Sequence, residues 1–152
     1  MNRKICGFYK DEHDDWVALL ECHHGQHVRH HPPFTNRPWV ESDEGRAAKL
    51  GVELDCVRCD RFEFPEGLAF YKKTPEFDES TIPEGLLKDH STKTGTWGLI
   101  RVSEGQLRYT AGQHLQILDQ SAAGIVVPNM LHSVAPLARV RFCVEFYRKE
   151  NV

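Results

Sequence analysis

Two stretches decide how this chain is read: Cys22-His23-His24-Gly25-Gln26-His27-Val28-Arg29-His30-His31 and Leu54-Asp55-Cys56-Val57-Arg58-Cys59-Asp60. A C-x2-C pair lets two thiolates reach one ion from a tight turn, and a second Cys/His knuckle elsewhere completes a tetrahedron. The start, M-N-R-K-I-C-G-F-Y, lacks the apolar core and cleavage site of a secretory leader. In that context the spacing points to metal before disulfide. Cys22, Cys56 and Cys59 supply three thiolates, and a histidine supplies the fourth ligand. His24 makes the compact C-x-H knuckle and stands first; His27, in a wider C-x4-H loop, is the alternative. His30-His31, directly before Pro32-Pro33, shape the loop. Four protein ligands leave no open position, so the expected ion is a structural zinc.

Length and charge support this. The 152 residues carry a formal net charge of -3, which argues against general attraction to nucleic acid or anionic membranes. No apolar run approaches the roughly 18 residues that a membrane helix needs. Five cysteines is an odd number, and with two of them in C-x2-C the composition suits a reducing, cytoplasmic setting. Six of the nine histidines lie before Ala69, in a segment too small for a hydrophobic core alone to stabilise. A metal would supply what the core lacks.

The pattern along the chain is mainly β with a short helix. Ile5 to Lys10 and Trp16 to Glu21 read as strands around the turn D-E-H-D-D. Cys22 to Trp39, broken by prolines, reads as irregular. Ser42 caps a short helix with Asp43 and Glu44 in its first turn and Gly51 at its end, and Val52 to Leu54 lead into the second knuckle. This is a zinc-stapled module over residues 1–66. Residues 67–152 then read as a small β-barrel or sandwich. Trp97 to Ser103 and Gln106 to Tyr109 flank a hairpin turn at Glu104-Gly105. His114 to Leu118, Gly124 to Val127 and Arg139 to Tyr147 follow, with a turn at A-P-L-A. His114 is expected at the surface.

Two resemblances add to this. The C-x-H-x-Q-H-x-R-H-x-P-P run and L-x-C-x2-C-D, over roughly Ile5 to Pro65, resemble an uncharacterised bacterial family of small domains that brings no activity with it. From about Tyr71 to Arg148 the pieces T-P-E-F-D-E-S-T-I-P-E-G-L, H-S-T-K-T-G-T-W-G, V-S-E-G-Q-L, V-P-N-M-L-H-S-V and R-F-C-V-E-F-Y occur in order. They resemble the small cupin-like domain of bacterial tellurite-resistance-related proteins, which occurs alone or ahead of a methyltransferase. The glycine-rich cofactor loop of such an enzyme is missing, and no methyl transfer is expected. The resemblance implies a pocket at His90, His132, Glu145 and Lys93. His132 ends a P-x3-H run and points inward, and Trp97 belongs to the core. Two imidazoles and a carboxylate would suit a second divalent metal with open positions.

The resulting expectation is a metal-binding protein related to tellurite resistance, its barrel taking a small molecule or oxyanion during stress. No nucleophile–base pair names a reaction. A non-enzymatic adaptor, using the zinc module to bind a protein and the barrel as a sensor, is the alternative. A Rieske-like iron–sulfur protein is the third reading, weakened because Cys59 stands where a second histidine belongs. No nucleic-acid or membrane partner is expected; a homodimer is.

Overall fold

The computed structural model describes residues 1–150. The chain divides into two compact units, Met1–Glu66 and Gly67–Val152.

In the first unit the strands are β1 (Asn2–Lys10), β2 (Trp16–Leu20), β3 (Gly25–His27) and β4 (Glu53–Asp55), in the sheet order β3-β2-β1-β4. All pairs are antiparallel. Strand alternation sends Arg3 and Ile5 of β1 inward, and Val17, Ala18, Leu20 and Val28 fill the same small core. The stretch 22–39 is more ordered than its prolines suggest. It contributes β3 and a 3-10 turn over Pro38–Glu41. Ser42 does cap α1 (Asp43–Ala48), its Oγ accepting the Gly45 N–H at 3.0 Å. Gly51 follows at a φ of 85°, a conformation that favours glycine. A one-turn helix, α2 (Val57–Asp60), closes the second knuckle.

The second unit is a six-stranded antiparallel sheet built on two long strands. After β5 (Leu68–Lys73), β6 (Phe77–Asp78) and the short α3 (Glu84–Leu87) come β7 (Trp97–Ala111), β8 (His114–Leu118), β9 (Gly124–Val126) and β10 (His132–Lys149). The order is β5-β10-β7-β8, with β6 on β10 and β9 on β7. The expected hairpin at Glu104-Gly105 is absent: β7 runs through it as one strand of 15 residues. Beyond the buried Trp97 at its start, the buried positions are Gly98, Ile100 and Val102 before the interruption and Leu107, Tyr109 and Ala111 after it. Inward parity therefore flips, the mark of extra residues in a strand. The β7–β10 register shifts there, between Leu137 and Val140 and between Arg141 and Phe142. Gly105 has a φ of 75°, and this positive-φ glycine bends the strand instead of ending it. The A-P-L-A segment is likewise strand, with Pro136 opposite Leu107. The pairings of β10 with β5 and β6 begin only at Arg141. Pro136 therefore meets β7 on one side only, where a missing N–H is tolerated.

Trp97, Ile100, Leu107, Leu118, Val126 and Phe142 form the core. No helix among the described residues is long and apolar enough to cross a membrane.

Candidate metal centre

Antiparallel pairing of β1 with β2 and β4 delivers both knuckles to one end of the first sheet. Ile5 pairs with Leu20 and Arg3 with Leu54, so the residues that follow β2 and β4 emerge side by side. The first knuckle is the turn between β2 and β3, closed by Leu20 N–H to His24 O at 3.0 Å and His23 N–H to Leu20 O at 2.8 Å. His23 sits at the bend with a φ of 74°. In the second knuckle Cys56 is the N-cap of α2 and Cys59 lies within its turn.

Cys22, His24, Cys56 and Cys59 are all buried, and their four ligand atoms lie within 4.8 Å of one another. His24 Nδ1 is 3.4 Å from Cys22 Sγ, 3.3 Å from Cys56 Sγ and 3.6 Å from Cys59 Sγ, and the Cys22 and Cys56 sulfurs are 3.8 Å apart. Zinc bonded to sulfur at about 2.3 Å and to nitrogen at about 2.05 Å sets tetrahedral edges of about 3.8 and 3.5 Å. The donors fit one such ion. His24 Nε2 lies 2.7 Å from the carbonyl oxygen of Glu63. A carbonyl only accepts, so Nε2 carries the proton and Nδ1 presents its lone pair to the centre, the arrangement that orients metal-bound histidines.

Electrostatics point the same way. A hydrogen bond from Cys22 holds the Cys59 thiol down at about 4, with His24 and Arg3 helping. The Cys22 thiol is pushed up by that same bond and by burial, and burial pushes Cys56 up as well. Three adjacent thiols cannot all ionise unaided. These residues could hold a divalent cation, which would remove the conflict with release of the thiol protons.

The alternative ligand, His27, is not in this cluster. Its Nε2 pairs with Asp11 Oδ2 at 2.8 Å, with the side chain about half exposed. His30 is engaged through Nδ1, which accepts the Arg37 N–H at 3.0 Å. The His31 ring stacks on Phe34.

In the second unit His90 and His132 are brought together. They form an antiparallel bridge, N–H to O at 3.0 and 2.8 Å, and their ring centroids are 4.1 Å apart. His132 is buried, and its Nδ1 donates to Met130 O at 3.1 Å. Burial drives its pKa down to about 4, so the ring is neutral with the lone pair on Nε2. The structure does not bring Glu145 to this pair. Glu145 lies at the other end of β10, opposite Leu99 and Lys73, on the face away from Phe142 and Val144. Its carboxylate is held by Arg101 Nε at 2.6 Å and accepts from the Tyr147 hydroxyl at 3.3 Å. Strand alternation explains this, since His132 falls on the buried positions of β10 and Glu145 between them. Lys93 is exposed in a turn where its carbonyl accepts the Thr96 N–H. Trp97 is core. His114 is half-buried and sits edge-on to Tyr109, whose ring also contacts His132. That aromatic link had no signal in the sequence, and neither did the Glu63 carbonyl.

Two family models match the chain in succession. Residues 6–63 match the family model described as a protein of unknown function, DUF3565, and residues 72–144 match the TehB-like domain. The DUF3565 match thus precedes the TehB-like match along the chain. Among curated proteins the chain is similar to the probable S-adenosyl-L-methionine-dependent methyltransferase TehB of Haemophilus influenzae, 28% identical over 93 residues. That similarity covers 55% of this chain and 32% of TehB, so the chain spans about a third of that relative. The crystal structure of Haemophilus influenzae TehB superimposes with a TM-score of 0.52 at 27% identity, over 55% of this chain and 32% of that one. An Escherichia coli K12 protein solved by a structural genomics consortium gives a TM-score of 0.55 at 16% identity. It is matched over 98% of its length and 59% of this chain, which speaks for the fold alone.

Proposed function

We propose that this is a two-module metal-binding protein in which Cys22, His24, Cys56 and Cys59 hold a structural zinc ion. The observation that carries the reading is the convergence of three sulfurs and one imidazole nitrogen at tetrahedral edge lengths, with the other imidazole nitrogen on a carbonyl. Zinc suits the set because it takes four sulfur and nitrogen ligands without a redox change. The convergence on one ion argues against a Rieske-type centre, whose thiolates and imidazoles sit on two different irons. Elemental analysis of the purified protein tests it: one zinc per chain is expected, and a brown protein containing iron would overturn it.

The second unit, in this reading, is a cupin-like half-barrel that takes a small molecule or oxyanion beside His90 and His132, in a stress related to tellurite. Two imidazole rings 4.1 Å apart, one of them the buried His132, support it, since a pair of histidine nitrogens can hold a borderline divalent cation with open positions. Glu145 has no part in it. Titration of the zinc-loaded protein with nickel or zinc, comparing wild type with His90→Ala/His132→Ala, decides the point. A second equivalent bound only by wild type is expected.

A further inference from the structure

Arg3 breaks the rule of its own strand. It occupies an inward position of β1, two residues before Ile5, where alternation calls for an apolar side chain, and it is 1% exposed. A guanidinium in the interior costs several kcal/mol unless a negative group faces it, and arginine is almost never fully buried unless paired. The strand pairings show what faces it. On one side Arg3 pairs with Leu54, two residues before Cys56. On the other, the register of Ile5 with Leu20 continues through the Glu21 N–H, which donates to Lys4 O at 2.9 Å, and leads to Cys22. Arg3 is thus flanked by the chain segments that carry the thiolates. Its positive charge helps to hold the Cys59 thiol down, and its Nη2 donates to Met1 Sδ at 3.2 Å.

We infer that Arg3 is a positioning residue of the metal centre, supplying the counter-charge and a thiolate hydrogen bond that keep the centre inert. This rests on the metal reading above. The charge balance is explicit: three thiolates, one neutral imidazole and one divalent cation leave a single negative charge, and Arg3 cancels it. The hydrogen bond also draws electron density from the Cys59 sulfur. A zinc-bound thiolate that accepts a hydrogen bond from a guanidinium is a weaker nucleophile and a poorer site for protonation or oxidation. The centre is therefore built to stay closed and not to exchange or react.

The test uses the full-length zinc-loaded protein, with iodoacetamide as the probe and a colorimetric chelator reporting zinc release. Arg3→Met, which keeps the volume and removes the charge, should release zinc about tenfold faster or more, the usual range for partners of metal ligands. Arg3→Lys keeps the charge without the fork and should fall between the two. Equal release rates in Arg3→Met and wild type would overturn the inference. Should Arg3→Met fail to fold, cobalt-substituted Arg3→Lys and wild type are compared. A sulfur-to-cobalt charge-transfer band moved to lower energy in the variant is expected, and an unmoved band overturns the inference. A wild-type protein that binds no metal sinks the underlying reading, an outcome distinct from a metal centre indifferent to Arg3.

Discussion

His24 shows how one side chain can be chosen from five neighbours. Of His23, His24, His27, His30 and His31, it alone is in the buried cluster, and its second nitrogen is spent on the Glu63 carbonyl. His24→Ala should cost most of the zinc affinity, whereas His27→Ala should retain one zinc per chain because His27 pairs with Asp11 instead. Cys56→Ser/Cys59→Ser should retain none, and zinc counted in that double variant would end the structural-metal reading. His132 makes a prediction of a different kind. Its pKa falls from an ordinary 6.5 to about 4 through burial, so the unfolded chain takes up a proton at a pH where the native chain does not. Stability from this group is complete above pH 6.5 and is lost as the pH falls through 6.5 toward 4, by at most about 3 kcal/mol. Urea midpoints at pH 7 and pH 5 should diverge more in wild type than in His132→Gln, whose shared zinc module cancels in the comparison. Equal divergence in the two would remove His132 as the cause. The Cys/His cluster was legible in the sequence because knuckle chemistry is local: C-x-H and C-x2-C need only a turn each. Arg3 and the Glu63 carbonyl were not, since each acts across strand pairings that no short motif records.

The strands of the second unit were legible as strands but not as long ones. Short apolar runs separated by E-G and A-P-L-A carry turn signals, and each signal was real as backbone chemistry: Gly105 does take a φ of 75°. What the local pattern could not tell was whether a positive-φ glycine reverses the chain or only bends it. Long-range pairing decides, because β10 accompanies β7 from Tyr147 opposite Trp97 to His132 opposite Ala111. Gly105 is therefore a load point of this bend, where a Cβ would overlap the Arg139 carbonyl. Gly112 offers the control, with a φ of 60° and nothing within 4 Å of a Cβ. Gly112→Ala should cost only the left-handed backbone penalty, about 1–2 kcal/mol. Gly105→Ala pays that and the steric conflict, so about 3 kcal/mol or more is expected, or failure to fold. Comparable denaturation midpoints for the two would mean that the bend is soft and that the β7–β10 pairing does not depend on it.

At the scale of the molecule the two units are stabilised by different means. The first has a small core and a cluster of three buried thiols, which without an ion are an electrostatic liability. The second has a long antiparallel sheet over Trp97, Ile100, Leu107, Leu118 and Phe142 and, of its own, no buried thiol cluster among the described residues. Metal removal should therefore act on one unit. In the first, with zinc bound as proposed, binding free energy would be folding free energy, because an unfolded chain has no preformed site. A strong chelator at neutral pH should unfold residues 1–66, while the second sheet keeps its protection. Hydrogen exchange followed by mass spectrometry resolves this by peptide. Amides of β1, β2 and β4 should exchange within minutes of chelation, and those of β7 and β10 should keep their rates within a few fold. Re-adding one equivalent of zinc should restore the first set. Concerted loss of protection in both sets would mean that the second unit depends on the first for its stability. Unchanged protection in β1 and β2 after the metal is stripped would mean that the sheet and its small core suffice alone, and that the zinc ion serves something other than the fold.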